Sequence, residues 1–187
     1  MAIKIYIDQG HNPSAPNTGA EGNGLREQDI TYDVGIRLAE LLRQNGNFEV
    51  RLSRPSPTTQ LGTSNASSLR VRVDDANSWG ADYFVSIHTN ASTQRSANGA
   101  EVLVYSSPSR AANLAEDILS NLTDITGLNS RGVKERPGLY VLRKTNMPAV
   151  LVELGFITNP QDAIRMRDNP QLFAQGIYQG ILEYLNL

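Results

Sequence analysis

Apolar residues recur along the chain at two spacings, one typical of strands and one typical of helices. Isoleucines at every second position of 3–7 predict a first strand that ends near Asp8. Apolar residues spaced four, four and three apart over 30–41 predict a helix, which Asn45-Gly46 ends. A turn-rich stretch over 9–26 separates the two elements, and long loops in compact domains often carry function.

The same two patterns continue to the end of the chain. Residues 149–152 form a continuous apolar run, which is typical of a strand covered on both faces. Other predicted strands cover 48–52, 83–87 and 100–105, with shorter extended pieces at 131–133 and 139–142. Other predicted helices run from Leu69 to Ala76 and begin at Ser107-Pro108, Asn159-Pro160 and Asn169-Pro170. This alternation indicates a single α/β domain over residues 1–187 with a mostly parallel sheet.

Composition narrows the possible functions. The 187 residues include 17 basic and 19 acidic side chains, a net charge of −2, and no basic cluster of the kind that binds nucleic acid. No apolar run approaches the length of a membrane span. Cysteine is absent, which excludes disulfides, a thiol nucleophile and thiolate zinc sites, so any metal must be held by nitrogen and oxygen. The chain opens without a basic-then-apolar leader, and we expect either a protein that no cleaved signal exports or a mature or excised domain.

Common nucleotide and hydrolase motifs do not fit this sequence. The glycines of 19–24 have the wrong order for a dinucleotide loop, and no stretch matches a phosphate loop. Residues 62–66 do not satisfy the nucleophile-elbow pattern, because Ala66 stands where a glycine is needed.

Three titratable residues follow or end predicted strands. His11 lies just beyond the first strand, His88 follows the strand over 83–87, and Glu153 ends the most apolar strand. Carboxyl ends of strands in an open α/β sheet form the crevice where ligands bind, so these side chains could converge. A buried carboxylate such as Glu153 is costly unless it is paired, metal-bound or protonated; a structural salt bridge to Arg54 or Arg72 is the alternative.

Glu27 is a fourth candidate, in the first turn of the helix that follows the long loop. An acidic side chain there also favours the helix dipole, which is its purely structural interpretation. Two histidines with one carboxylate form one of the recurrent ligand sets of catalytic zinc, and three protein ligands leave a position for water. Asp8 and Ser86 are candidates to orient the histidine rings.

At these residues the chain resembles the zinc-dependent N-acetylmuramoyl-L-alanine amidases of the amidase-3 family, over nearly its whole length. The resemblance rests on short motifs and on two long blocks: Ile7-Asp8-Gln9-Gly10-His11, Gly19-Ala20, Glu27, Leu52-Ser53-Arg54, Arg72-Val73, Ala76-Asn77, 80–91 and 148–159. It implies a twisted central sheet flanked by helices.

The resemblance further implies zinc ligands at His11, Glu27 and His88 and a catalytic glutamate at Glu153. The implied reaction cleaves the amide between the lactyl group of muramic acid and the L-alanine of the stem peptide in peptidoglycan. Asn90 follows the second histidine as in the family, where either site orientation or a structural role is open. We expect a monomer without nucleic-acid or membrane partners that works outside the cell or in the cell wall. Host autolysin, spore enzyme and phage lysin remain alternatives.

One departure from the family pattern concerns the first loop. Many relatives carry two glycines after the first histidine, whereas this chain has Asn12-Pro13, which predicts a stiffer loop. No segment is left over for an inhibitory helix, so we expect an open site. Two other functions stay open: a domain that binds peptidoglycan without cutting it, and a zinc peptidase that cuts inside the stem peptide.

Overall fold

The structure is a computed structural model that describes residues 2–187. These residues contain eight strands: β1 (Ile3–Gln9), β2 (Glu21–Gly22), β3 (Leu25–Arg26), β4 (Phe48–Leu52), β5 (Tyr83–Asn90), β6 (Ala100–Val104), β7 (Ser130–Glu135) and β8 (Ala149–Phe156). Six helices accompany them: α1 (Glu27–Asn45), α2 (Asn65–Trp79), α3 (Arg110–Thr126), α4 (Tyr140–Lys144), α5 (Pro160–Asp168) and α6 (Pro170–Leu185). Within residues 2–187, none of these helices has the length and apolar character that crossing a bilayer requires.

Six strands form one central sheet in the order β4-β1-β5-β8-β6-β7. The first four are parallel to one another, β6 runs antiparallel to β8, and β7 is parallel to β6. The carboxyl ends of the parallel strands therefore share one edge of the sheet with the amino ends of β6 and β7. The expected single α/β domain with a mostly parallel sheet is confirmed.

Apolar side chains cover both faces of this sheet. The larger core cluster lies against α1, α3 and α6 and includes Ile7 and Val152; the smaller one lies against α2 and α4 and includes Phe84 and Leu151. Consecutive residues of β8 alternate between the two clusters, and this accounts for its continuous apolar run.

Local capping explains where several helices begin and end. The Ser64 hydroxyl accepts a hydrogen bond from the Ser67 backbone N–H in a capping box at the start of α2. Gly46 and Gly80 end α1 and α2 in the left-handed conformation. Asn159 caps α5 by accepting from Gln161 and Asp162, as the sequence predicts.

Three sequence predictions of local structure are wrong. The segment over 139–142 lies in helix α4 rather than in an extended piece, because Val141 and Leu142 pack together into the smaller core. Helix α3 begins at Arg110 with Ser109 as its cap, so Ser107-Pro108 precedes the first turn. His88 and Glu153 both lie within their strands, not beyond or at the ends, because β5 and β8 each extend to the rim of the sheet.

Candidate metal centre

Three separate elements bring two histidines and a carboxylate together at the carboxyl edge of the sheet. His11 lies two residues beyond β1, Glu27 is the first residue of α1, and His88 lies near the end of β5. His11 Nε2 is 3.2 Å from Glu27 Oε2, and His88 Nδ1 is 3.1 Å from Glu27 Oε1. The two imidazole rings meet edge to face, with centroids 4.8 Å apart.

Backbone donors hold the Glu27 carboxylate between the two rings. Its Oε1 accepts a hydrogen bond from the Thr89 N–H at 2.8 Å, and its Oε2 accepts one from the Ala20 N–H at 2.8 Å. Burial by itself would raise the pKa of Glu27, but the hydrogen bonds with His11 and His88 outweigh it and hold that pKa well below its usual range. Glu27 is therefore ionised at neutral pH, the state in which a carboxylate binds a metal.

The donor set and its spacing fit a zinc ion. One candidate ligand atom from each of His11, Glu27 and His88 lies within 4.8 Å of the others, and among residues 2–187 no second group of three such residues does so. Two imidazole nitrogens and one carboxylate oxygen form a recurrent ligand set of catalytic zinc sites. Structural zinc sites built from thiolates need cysteine, which this chain does not contain. The side chains of His11 and His88 are 20% and 18% exposed, so solvent reaches the site.

Two glycines allow the loop to close over these side chains. A Cβ on Gly10 would lie 2.6 Å from His88 Nε2 and from the Ile87 carbonyl oxygen. A Cβ on Gly19 would lie 2.7 Å from Glu27 Oε2. Any larger residue at either position would displace a candidate ligand.

A buried arginine fixes the backbone of the first histidine. His11 has a φ of 67°, in the left-handed region. Arg72 donates from Nη2 to the His11 carbonyl oxygen at 2.6 Å, and from Nη1 to the Gln9 carbonyl and to Asp8 Oδ1, both at 2.6 Å. Burial would raise the pKa of Asp8, but the charge and hydrogen bonds of Arg72 outweigh it, so the pKa lies below its usual range. Asp8 also accepts from Ser86, so neither candidate residue bonds to a histidine ring.

Asn12 has a structural task that its sequence position does not reveal. The residue is fully buried, and its Nδ2 donates to the carbonyl oxygens of Pro16 and Leu61 at 2.8 and 2.9 Å. Its Oδ1 accepts from the Leu61 N–H at 3.1 Å. The side chain therefore ties the loop after His11 to the segment before α2, in keeping with the expected stiffness of Asn12-Pro13.

Glu153 lies beside this cluster on the neighbouring strand. It is paired in register with His88 of β5 on one side and with Glu101 of β6 on the other. Its Oε2 is buried, with no hydrogen-bond partner in the part of the chain that the structure describes. Burial, followed by the charges of Glu27 and Glu101, raises the pKa of Glu153 to about 8.

The salt-bridge alternative for Glu153 is wrong. Arg72 pairs with Asp8, and Arg54 donates to the carbonyl oxygens of Gln28 and Pro57. Neither guanidinium is among the partners of Glu153. Burying a carboxylate oxygen without a partner is costly, so this oxygen favours a bound proton or a nearby cation.

Sequence reasoning missed Glu101, a buried acid on β6. Its Oε1 accepts from Asn90 Nδ2 at 3.0 Å, and its Oε2 accepts from Arg131 Nε at 3.1 Å and from Lys134 Nζ. Asn90 thus contacts Glu101 rather than His88. The one signal in the sequence was an acidic residue inside an apolar strand, the same signal that identified Glu153.

The fold and the cluster together define a class of protein. It is an α/β protein in which two histidines and a carboxylate meet at the carboxyl edge of the sheet, the donor set of catalytic zinc sites, with a further unpaired carboxylate on the adjacent strand. A family profile described as N-acetylmuramoyl-L-alanine amidase matches residues 5–183. The chain belongs to this family, which confirms the resemblance and the expected enzyme class: an amidase acting on the bond between N-acetylmuramic acid and L-alanine.

Individual relatives agree with this assignment. The chain is 37% identical over 189 residues to the N-acetylmuramoyl-L-alanine amidase CwlM of Bacillus licheniformis, covering 99% of this chain and 70% of that protein. It is 39% identical over 185 residues to the amidase LytC of Bacillus subtilis, covering 96% of this chain but 35% of LytC. The solved catalytic domain of CwlV, an amidase from Bacillus (Paenibacillus) polymyxa, superposes with a TM-score of 0.85 at 33% identity and 98% coverage of both chains.

Proposed function

We propose that this chain hydrolyses the amide between N-acetylmuramic acid and L-alanine in peptidoglycan as a zinc enzyme, with Glu153 as the general base. The observation that carries the proposal is the cluster of His11, Glu27 and His88 beside an unpartnered buried oxygen of Glu153. We propose further that residues 1–187 act as one monomeric catalytic domain in the cell wall, outside the cytoplasm.

His11, Glu27 and His88 would hold the metal. A zinc ion there would supply Lewis-acid chemistry, polarising a carbonyl oxygen and making a water molecule more acidic. The chain's contribution is to bring three donors together: the low pKa of Glu27 keeps it ionised, and Gly10, Gly19 and Arg72 fix the donors in place.

Glu153 would move the proton. Its position in register with His88 puts its carboxylate one strand away from the candidate ligands, and its free oxygen is available to accept a proton from the attacking water. The same carboxyl group would then donate that proton to the L-alanine nitrogen as the amide breaks. The pKa of Glu153 is raised because its surroundings favour the protonated form. A cation bound nearby would lower this pKa.

The reaction products test this function directly. Purified peptidoglycan is incubated with the protein, with zinc and with a chelator, and the soluble products are analysed by mass spectrometry. We expect new L-alanine amino termini and intact muramic acid carboxyl groups in the zinc sample, and neither product with the chelator.

The two alternatives give different products. Cuts at amides inside the stem peptide would identify a peptidase. If the protein sediments with peptidoglycan but releases no product at any zinc concentration, it is a domain that binds without cutting.

A further inference from the structure

Two cationic side chains meet on Glu101, one strand away from Glu153. Arg131 Nε lies 3.1 Å from Glu101 Oε2, and Lys134 Nζ contacts the same oxygen. The Arg131 guanidinium also lies over the Phe156 ring, 4.9 Å from its centroid, and its Nη1 donates to the Asn98 carbonyl oxygen. These contacts hold the guanidinium in one orientation.

The cluster carries more positive than negative charge. Burial would raise the pKa of Glu101, but hydrogen bonds from Lys134 and Arg131 outweigh it and lower that pKa, so Glu101 carries one negative charge against two positive ones. The Glu101 side chain is 8% exposed, whereas those of Arg131 and Lys134 are 37% and 31% exposed. The surplus charge is therefore on the side chains that solvent, and a ligand, can reach.

The cations lie on the same face of the sheet as the catalytic candidates. Glu101 and Glu153 are directly opposite each other in the antiparallel pair, so their side chains project to one face. Adjacent strands are about 4.8 Å apart, so the backbone of β7, which carries both cations, lies about 10 Å from that of β8, and the two side chains reach back toward β8 as far as Glu101 on β6. Two extended peptide residues span at most about 7 Å, and the reach of the Arg131 and Lys134 side chains across β6 supplies the rest of that distance.

The chemistry of the substrate decides which part can meet these cations. The lactyl carboxyl group of muramic acid is consumed in the scissile amide, and the sugar hydroxyl and acetamido groups are neutral. Carboxylates occur on the stem peptide, where D-glutamate linked through its γ-carboxyl follows L-alanine and keeps a free α-carboxylate unless it is amidated.

We propose that Arg131 and Lys134 form an anion subsite that binds the α-carboxylate of the stem-peptide residue following L-alanine. The subsite rests on the proposed function, since it places the peptide side of the scissile amide over β6 and β7. We therefore expect the chain to prefer stem peptides whose second residue keeps a free α-carboxylate over those in which this carboxylate is amidated.

A matched pair of soluble substrates tests the subsite. N-acetylmuramoyl-L-alanyl-D-glutamate γ-methylamide carries the α-carboxylate, and its isoglutamine counterpart carries a carboxamide there, with no other difference. For the zinc-loaded wild-type chain we expect a kcat/KM about fivefold higher for the acid, expressed mainly in KM, since one charge-assisted hydrogen bond is at stake. Arg131→Gln and Lys134→Gln each remove this preference by acting on the acid substrate alone.

Two further variants separate charge from structural support. Arg37→Gln is the matched control, because Arg37 is 38% exposed and pairs through Nε with Asp33 at 3.0 Å, away from the site; it should leave both substrates unchanged. Glu101→Gln removes the negative charge that pairs with Arg131 and Lys134. The metal-free variant should therefore bind the product L-alanyl-D-glutamate γ-methylamide about fivefold more tightly than the metal-free wild type, as measured by calorimetry. A damaged fold would not strengthen binding.

Several outcomes would overturn the subsite. The wild type could cleave the two substrates with equal kcat/KM values, or Arg131→Gln could lose the same activity on both. Either result would mean that the two cations only hold Glu101 in place and do not bind the substrate. If a preference is seen with whole cell walls but not with the soluble pair, Arg131 and Lys134 bind a different anionic polymer of the wall. Failure of the proposed function is distinguishable, because then neither substrate is cleaved, while product binding to the metal-free chain still reports on the cations.

Discussion

Among the acidic groups at the carboxyl edge of the sheet, Glu153 alone has a raised pKa. Glu27 receives hydrogen bonds from two backbone N–H groups, and Glu101 receives them from two cations, so both are ionised. Glu153 Oε2 has no donor among residues 2–187, and the negative charges of the other two raise the pKa of Glu153 further. These differences fit the roles that we propose: Glu27 as a metal ligand, Glu101 as a counter-charge and Glu153 as the group that accepts a proton.

Glu153→Gln removes the proton acceptor while keeping the volume of the side chain. We expect kcat to fall by about 10² to 10⁴-fold, the usual contribution of general acid–base catalysis, with zinc content unchanged. Turnover of peptidoglycan and elemental analysis of the same preparation measure both quantities. A variant with wild-type kcat would remove Glu153 from the role of base.

The pair of Asp8 and Arg72 predicts a dependence of stability on pH. Because the native pKa of Asp8 lies below its ordinary value of 3.8, the unfolded chain binds more protons between these two pKa values. The free energy of unfolding contributed by Asp8 is therefore complete above about pH 4 and is lost as the pH falls further.

Denaturant unfolding of the wild type and of Asp8→Asn, both metal-free, measures this contribution. Below pH 4 the wild type should lose stability more steeply than the variant, which has no group to protonate at this position. Parallel curves for the two proteins would contradict the lowered pKa.

Single residues also show what the sequence alone reveals. His11, His88 and Glu153 could be found because rare titratable residues beside apolar strands stand out locally. Asn12, Arg72 and Glu101 could not, since their roles depend on partners 30 to 60 positions away or more, such as Leu61 for Asn12 and His11 for Arg72.

Among the elements, α3 and α6 pack with their backbones unusually close. A Cβ on Gly180 of α6 would lie 2.4 Å from Ile118 Cα of α3, and a Cβ on Gly176 would lie 2.7 Å from Leu122 Cα. Backbone atoms cannot rotate away as side chains do, so a larger residue must separate the helices.

Gly180→Ala should therefore destabilise the protein although alanine favours a helix. We expect the free energy of unfolding to fall by about 1–3 kcal/mol, the usual cost of overpacking. Gln175→Ala, on the exposed face of the same helix, is the control and should change stability by less than about 0.5 kcal/mol. A Gly180→Ala variant as stable as this control would mean that the helices do not pack this closely.

Most elements with local start and stop signals were predicted correctly, although Ser107-Pro108 lies ahead of α3, which begins at Arg110. Helix α1 ends at Gly46 and α5 begins after Asn159, as expected from capping residues. Helix α4 was predicted as extended because its five residues show no helical period by themselves. Its conformation follows from docking Val141 and Leu142 against the sheet, which is a tertiary effect.

On the scale of the whole molecule, the topology assembles the site. Parallel strands β1 and β5 end at the same edge, and the sequence pattern indicated that His11 and His88 could converge there, which they do. The reversal of β6 could not be predicted from local pattern. It brings the amino ends of β6 and β7, and with them Glu101 and Arg131, to the edge where the parallel strands end.

Calorimetric titration of the metal-free chain with zinc determines whether His11, Glu27 and His88 jointly bind one zinc ion. We expect one equivalent bound by the wild type and by Glu153→Gln, and at least about 100-fold weaker binding by His11→Ala, Glu27→Ala and His88→Ala, each of which removes one of three ligands. Wild-type affinity and stoichiometry in any of these three alanine variants would contradict it.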